Sequence, residues 1–158
     1  MKRSLSVKFL VLMLTLLFGS LAVTATERPF SLNGTGIAVP ILDDNGNLLG
    51  AEPTGSGNAT HLGMFTNTGR VMFEPDASNP NIVHPNGGGV FTAANGDKLN
   101  FVIVSGALDL TTGIGIGDFA FTGGTGRFAN ATGLTQGVVQ QNVITGAYEL
   151  TLVGKIDY

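Results

Sequence analysis

The sequence predicts an all-β fold, most simply a closed antiparallel β-barrel of about eight strands, with a β-sandwich as the alternative. Three observations predict it. Twenty-four of the 158 residues are glycine, which inside a helix costs about 1 kcal/mol relative to alanine. Beyond residue 25, no long stretch carries apolar residues at helical spacing; short apolar or alternating runs are punctuated by turn residues instead, the pattern of closely spaced strands. The last run alternates with a period of two. Tyr148, Leu150, Leu152 and Ile156 share one face, and Glu149, Thr151 and Lys155 the other, as a half-buried strand requires. Eight or nine such runs favour closure, because open edges invite aggregation.

Residues 1–25 read as a secretory signal peptide. Lys2, Arg3 and Lys8 give a positive start, Phe9–Phe18 is apolar, and Val23 and Ala25 supply small residues before Thr26, the three-part layout of a cleaved leader. The apolar run is shorter than the roughly 20 residues a membrane anchor needs. Cleavage after Ala25 leaves 26–158 as one domain without an anchor, expected in the periplasm or outside the cell.

Along that domain, Phe30–Val39 forms the first run, closed by Pro40. Asp43–Asn47 is a turn and Gly50–Gly57 a glycine-rich loop. Ala59–Phe73 holds two strand pieces, ATHLGMF and RVMF, either side of Asn67-Thr68-Gly69. Glu74–Gly88, with three prolines, is too proline-rich for a central strand and reads as the longest irregular segment. Val90–Ala94, Asn95-Gly96 and Asp97–Ser105 read as a hairpin with a type I′ turn, in which both central residues take positive φ. Leu108–Leu110, Ile116–Thr122, Leu134–Ile144 and Ala147–Ile156 complete the strands, the last two joined through Thr145-Gly146.

Composition excludes several functions. The chain carries a net charge of −3 and no cysteine. The predicted leader removes three basic residues and no acidic one, so the domain is more acidic still. Nucleic acid and anionic membranes are poor partners for it. Without cysteine, and with two histidines far apart, no zinc site is expected. Asp43–Asn47 lacks the spacing and distant glutamate of a calcium loop. No Gly-x-Ser-x-Gly elbow is present. Glu52, Glu74, Asp97, Asp109, Asp118 and Glu149 are scattered and read as solvated or turn residues, and no cofactor is expected.

The segment FTGGTGRFANATG, residues 121–133, is glycine-rich but not a phosphate loop. No helix-forming stretch follows it and no Lys-Ser or Lys-Thr pair lies in it, so the helix N-terminus that holds phosphate is missing. A structural role fits better: Gly123-Gly124 turns the chain, Phe128 plugs the core, Arg127 pairs with an acid or caps carbonyls, and Ala129 and Ala131 permit close packing. Gly123, Gly124, Gly126, Phe128 and Gly133, in the order Gly-Gly-Thr-Gly-x-Phe-x-x-Ala-x-Gly, resemble the signature of the barrels related to allene oxide cyclase and the plant dirigent proteins. Asn58–Gly63 and the hairpin at Asn95-Gly96-Asp97 are similar to uncharacterised secreted bacterial members. The resemblance implies an eight-stranded antiparallel barrel with a partly apolar lumen, often a homotrimer, that steers cyclisation or radical coupling of a small hydrophobic molecule. The matched motif is structural and carries no catalytic residue. The chain also lacks the lumen cysteine expected of the plant cyclases.

In such a barrel, the inward faces of 59–65, 99–105 and 147–156 either enclose a void or fill it. His61, Gly63 and Phe65 would share one strand face, and His61, Phe65, Phe101 and Tyr148 are the candidate ligand-binding residues. His61 is a ring that titrates near neutral pH. His84, in Val83-His84-Pro85, is expected on a solvent-exposed loop. Two functions stand: a secreted barrel that binds a small apolar molecule, with enzyme status open, and a non-catalytic structural or interaction module of the cell envelope.

Overall fold

The structure, a computed structural model, describes residues 26–158; the predicted signal peptide lies outside them. Eight antiparallel strands run up and down in sequence order and close on themselves: β1 (Arg28–Leu42), β2 (Leu48–Ala59), β3 (Gly63–Pro75), β4 (Ile82–Ala93), β5 (Lys98–Asp109), β6 (Ile114–Gly124), β7 (Thr132–Gln141) and β8 (Ala147–Asp157). β1 pairs with both β2 and β8, so no edge is left, and the sandwich alternative falls. Among the described residues no helix is long and apolar enough to cross a membrane.

Two kinds of turn define two ends. The chain reverses at 60–62, 94–97 and 125–131 at one end, and at 43–47, 76–81, 110–113 and 142–146 at the other. The first end is closed by side chains. Phe30, Leu62, Phe121, Phe128, Ala131 and Ile156 are buried there, with Phe30 and Phe121 edge to face at 4.8 Å. A ring stack then runs through the middle: Phe65 to Phe91 at 5.2 Å and Phe91 to Phe101 at 4.6 Å, within the range where aromatic pairs attract.

Four expectations are corrected. Gly50–Gly57 is not a loop but most of β2. Its inward positions Ala51, Pro53, Gly55, Gly57 and Ala59 are small because large rings from other strands lie over them. Glu74–Gly88 is mostly strand, with only 76–81 outside β3 and β4. Proline is tolerated because each of Pro53 and Pro85 faces a break in one ladder, where its missing N–H is not needed: β2–β3 pairing skips from Ala51 to Thr54, and β4–β5 pairing from Val83 to Gly87. The 93–97 hairpin is not type I′. Ala93 N–H bonds the Asp97 carbonyl, Gly96 N–H bonds the Ala93 carbonyl, and Gly96 alone of the turn has positive φ, +89°. That is the three-residue turn with a left-handed glycine. Finally, ATHLGMF is not one strand. His61 sits in the β2–β3 turn at φ +68°, so it shares no strand face with Phe65.

The 121–133 segment also departs from expectation. Gly123-Gly124 does not reverse the chain; both remain in β6, and Gly123 N–H reaches the Ala131 carbonyl at 2.7 Å. Reversal comes after them, through a single 3-10 turn at Gly126–Phe128. Thr125 locks this turn to the neighbouring hairpin: its N–H donates to the Lys98 carbonyl at 2.8 Å and its hydroxyl accepts from Lys98 N–H at 3.0 Å. Arg127 pairs with Asp97 at 3.5 Å, and Phe128 is fully buried.

Candidate functional site

The other end of the barrel is not filled. A cavity of about 120 Å³ opens there, walled by Ala38, Ala51, Val71, Phe73, Ile103, Val139 and Leu150, with Pro53 and Pro85 at the ladder breaks. Its floor is Phe101, Phe119, Asn67 and Tyr148. Among the described residues no charged side chain lines it. By volume such a cavity encloses about one aromatic ring, and its open mouth leaves room for the rest of a larger molecule to project outward.

The floor is set by one row of the sheet. Tyr148 on β8 is in register with Gly36 on β1, Gly36 with Gly55 on β2, and Gly55 with Asn67 on β3. Two inward glycines let the tyrosine lie flat across two strands and reach the third. A methyl group at Gly36 or Gly55 would stand 2.7 or 2.8 Å from the Tyr148 oxygen. Asn67 Nδ2 donates to that oxygen at 3.0 Å, and the tyrosine hydroxyl points back to Asn67 Oδ1 at a long 3.4 Å. Burial pushes the Tyr148 pKa above the ordinary phenol value, opposed by the Asn67 hydrogen bond. At neutral pH the floor therefore offers a protonated hydroxyl whose own proton is weakly engaged.

The four sequence-derived candidates separate. Phe101 and Tyr148 meet at the cavity floor. Phe65 lies beneath it, its ring over Gly34 and Gly57 and against Phe91. His61 is at the closed end, with Nε2 2.9 Å from the Pro29 carbonyl oxygen and its ring 5.5 Å from that of Tyr158. Sequence reasoning missed Asn67. Its signal was parity: it shares the inward side of β3 with Phe65, Val71 and Phe73, where an amide needs a partner. Among the described residues no group of three or more His, Cys, Asp or Glu is placed to hold a metal ion.

No protein-family model and no curated protein matches the chain. Solved structures do. The pterocarpan synthase dirigent protein GePTS1 aligns with a TM-score of 0.53 and 12% identity over 84% of this chain and 86% of its own. The pterocarpan synthase dirigent protein PsPTS1 aligns with a TM-score of 0.56 and 12% identity over 84% of this chain and 96% of its own. The fold is dirigent-like.

Proposed function

We propose that the protein is a secreted barrel that binds one small, uncharged, largely apolar molecule in the open-end cavity and holds it in one pose. The observation that carries this reading is the cavity itself: one end of the lumen is filled by side chains and the other is kept open by alanine and glycine at wall positions, with the Asn67–Tyr148 pair at its floor and Gln141 the other polar side chain in its lining. An apolar wall drives transfer from water by roughly 25 cal/mol per Å² covered. The Tyr148 hydroxyl then orients a ligand acceptor. Any steering of cyclisation or coupling rests on shape and on neutral hydrogen bonds from Tyr148 and Gln141, since no charged side chain among the described residues lines the wall. The shared fold with two pterocarpan synthase dirigent proteins supports this reading.

The test uses the neutral fluorophore N-phenyl-1-naphthylamine. The wild-type barrel is expected to bind it with a blue-shifted emission. Ala51→Leu, which fills the cavity from β2, should lose that binding by tenfold or more while keeping its cooperative unfolding. Equal binding by the two proteins would defeat the assignment.

One observation favours the interaction-module reading as well. The outer face of β5–β8 exposes Val102, Val104, Ile116, Leu134, Val138 and Val153, with Ile116 and Leu134 each 65% exposed. Ala120 joins Val102 to Leu134 in one row, Val153 shares the next row with Asp118 and Gln136, and Ile116 pairs with Val138 in the third. Exposed apolar residues gathered on one face mark association sites. We propose that this face mediates a homotrimer. A native mass spectrum is expected to give three copies, and Ile116→Lys a monomer.

A further inference from the structure

His84 bridges two acceptors that a neutral histidine cannot satisfy together. Its ring stands on the outer side of β4, beside the cavity-wall residue Pro85. Nδ1 lies 2.9 Å from the Gly106 carbonyl oxygen of β5, and Nε2 lies 3.0 Å from Asp76 Oδ2 in the β3–β4 turn. A carbonyl and a carboxylate both only accept. A neutral imidazole carries one N–H, so it satisfies one of them; the imidazolium carries two and satisfies both.

The site is also a break in the barrel wall. β4–β5 pairing stops at Val83–Leu108 and resumes at Gly87–Ile103, leaving three residues on one strand against four on the other. The extra residue on β5 is placed by the same slip against β6, between Ile103 and Ser105. Pro85 brings no N–H to this gap, and His84 bridges it from outside. The turn it holds is itself joined to the next one, by Leu110 N–H to the Asn81 carbonyl at 2.8 Å.

Every charged group that faces the ring is acidic. β3 presents Glu74, directly opposite His84, and the turn presents Asp76. On β5, Asp109 stands opposite Ile82, and Ser105, next to Gly106, is bonded to Asp118 of β6. β4 itself carries no other charged residue. The nearest cation along β3, Arg70, is committed to Glu52 at 2.6 Å.

We propose that His84 is a proton-operated latch on the mouth of the cavity: the imidazolium pins the 76–81 turn and the β4–β5 gap, and loss of its proton releases one of them and frees the wall at Pro85. The role in controlling the cavity rests on the ligand-binding reading above; the latch itself does not. His84 has its pKa raised, first by the Asp76 hydrogen bond and then by the Gly106 carbonyl. The latch is therefore fully closed below the ordinary histidine value of 6.5 and opens as pH rises through the higher folded value.

The experiment follows the His84 ring signals by NMR across pH, with amide exchange at Ile82 and Leu110 corrected for its intrinsic pH dependence. His84 is expected to titrate above 6.5, and protection at both amides to fall about two- to five-fold through that same midpoint, as for an exposed ion pair. Asp76→Asn should bring the midpoint back toward 6.5, and His84→Gln should abolish the step in protection. A midpoint at or below 6.5, or protection indifferent to it, overturns the latch. Release of N-phenyl-1-naphthylamine, measured by stopped flow, is expected to quicken through the midpoint. Binding with a pH-independent release rate overturns control of the cavity. No binding at any pH overturns the ligand reading instead, and leaves the latch to the exchange data.

Discussion

Thr135 buries a hydroxyl without a hydrogen-bond partner. It faces inward on β7 beside Phe119 on β6 and Gly154 on β8, among groups that offer it nothing. Thr135→Val keeps the shape and removes the desolvated oxygen, so it should stabilise the fold by about 1 kcal/mol or more, read as a rise of a few degrees in the thermal midpoint. A fall would mean that the hydroxyl has a partner in solution. Gly36→Ala acts the other way. Its methyl would press on the Tyr148 oxygen and on the backbone of β2, and overpacking of this kind costs about 1–3 kcal/mol; the check is urea unfolding of the variant. At this scale the sequence was legible where period-two alternation is clean. It put Tyr148 on the inner face of the last strand, and the structure sets it on the cavity floor. His61 was illegible, because nothing local announces that a histidine will take the left-handed conformation that usually falls to glycine.

Among the elements, the open-end turns share one device. Asp43, Asp76, Asp109 and Asn142 each begin a turn and accept its backbone N–H groups: Asn45 and Asn47, Ser78 and Asn79, Thr111, and Ile144 and Thr145. These four residues stand at equal intervals of 33 residues, one hairpin apart. That spacing was present in the sequence and would have located all four turns. It was hidden because the strands between them read as loops wherever glycine and proline clustered, although in a narrow barrel those residues are what crossing rings require. Local hydrogen bonds hold the three aspartates below the ordinary carboxylate value, led by the Asn47 side chain at Asp43, the Ser78 hydroxyl at Asp76 and the Thr111 N–H at Asp109. Their stabilisation is present above the unfolded value of 3.8 and is lost as pH falls through the lowered folded values. In acid, amide protection at Asn45, Ser78 and Thr111 is expected to fail before that at Ile144, whose cap, Asn142, does not titrate. At the closed end, Phe128→Ala removes a fully buried ring and should cost about 3–5 kcal/mol, with the cavity-end signals in the NMR spectrum unmoved.

For the whole molecule, the division of labour between ends is the central feature. Up-and-down closure fixes eight strands with no edge, and the direction of each strand fixes which turns meet at which end. The sequence made this architecture legible through short alternating runs and turn residues. It left open whether the lumen is empty or full. The answer is both, by halves, and it depends on which glycines the rings of β3, β5, β6 and β8 cover, from the neighbouring strand, as Phe119 covers Gly137, to the far end of the chain, as Tyr148 covers Gly36 and Gly55. The half left open is, on the proposed function, the binding site. The most direct test is protein-observed NMR with aromatic and methyl labelling during a titration with N-phenyl-1-naphthylamine. Shifts confined to Tyr148, Phe101, Val139 and Leu150, with Phe30 and Phe128 unmoved, are the result predicted. Shifts centred instead on Val104, Leu134 and Val153 of the outer face would contradict it.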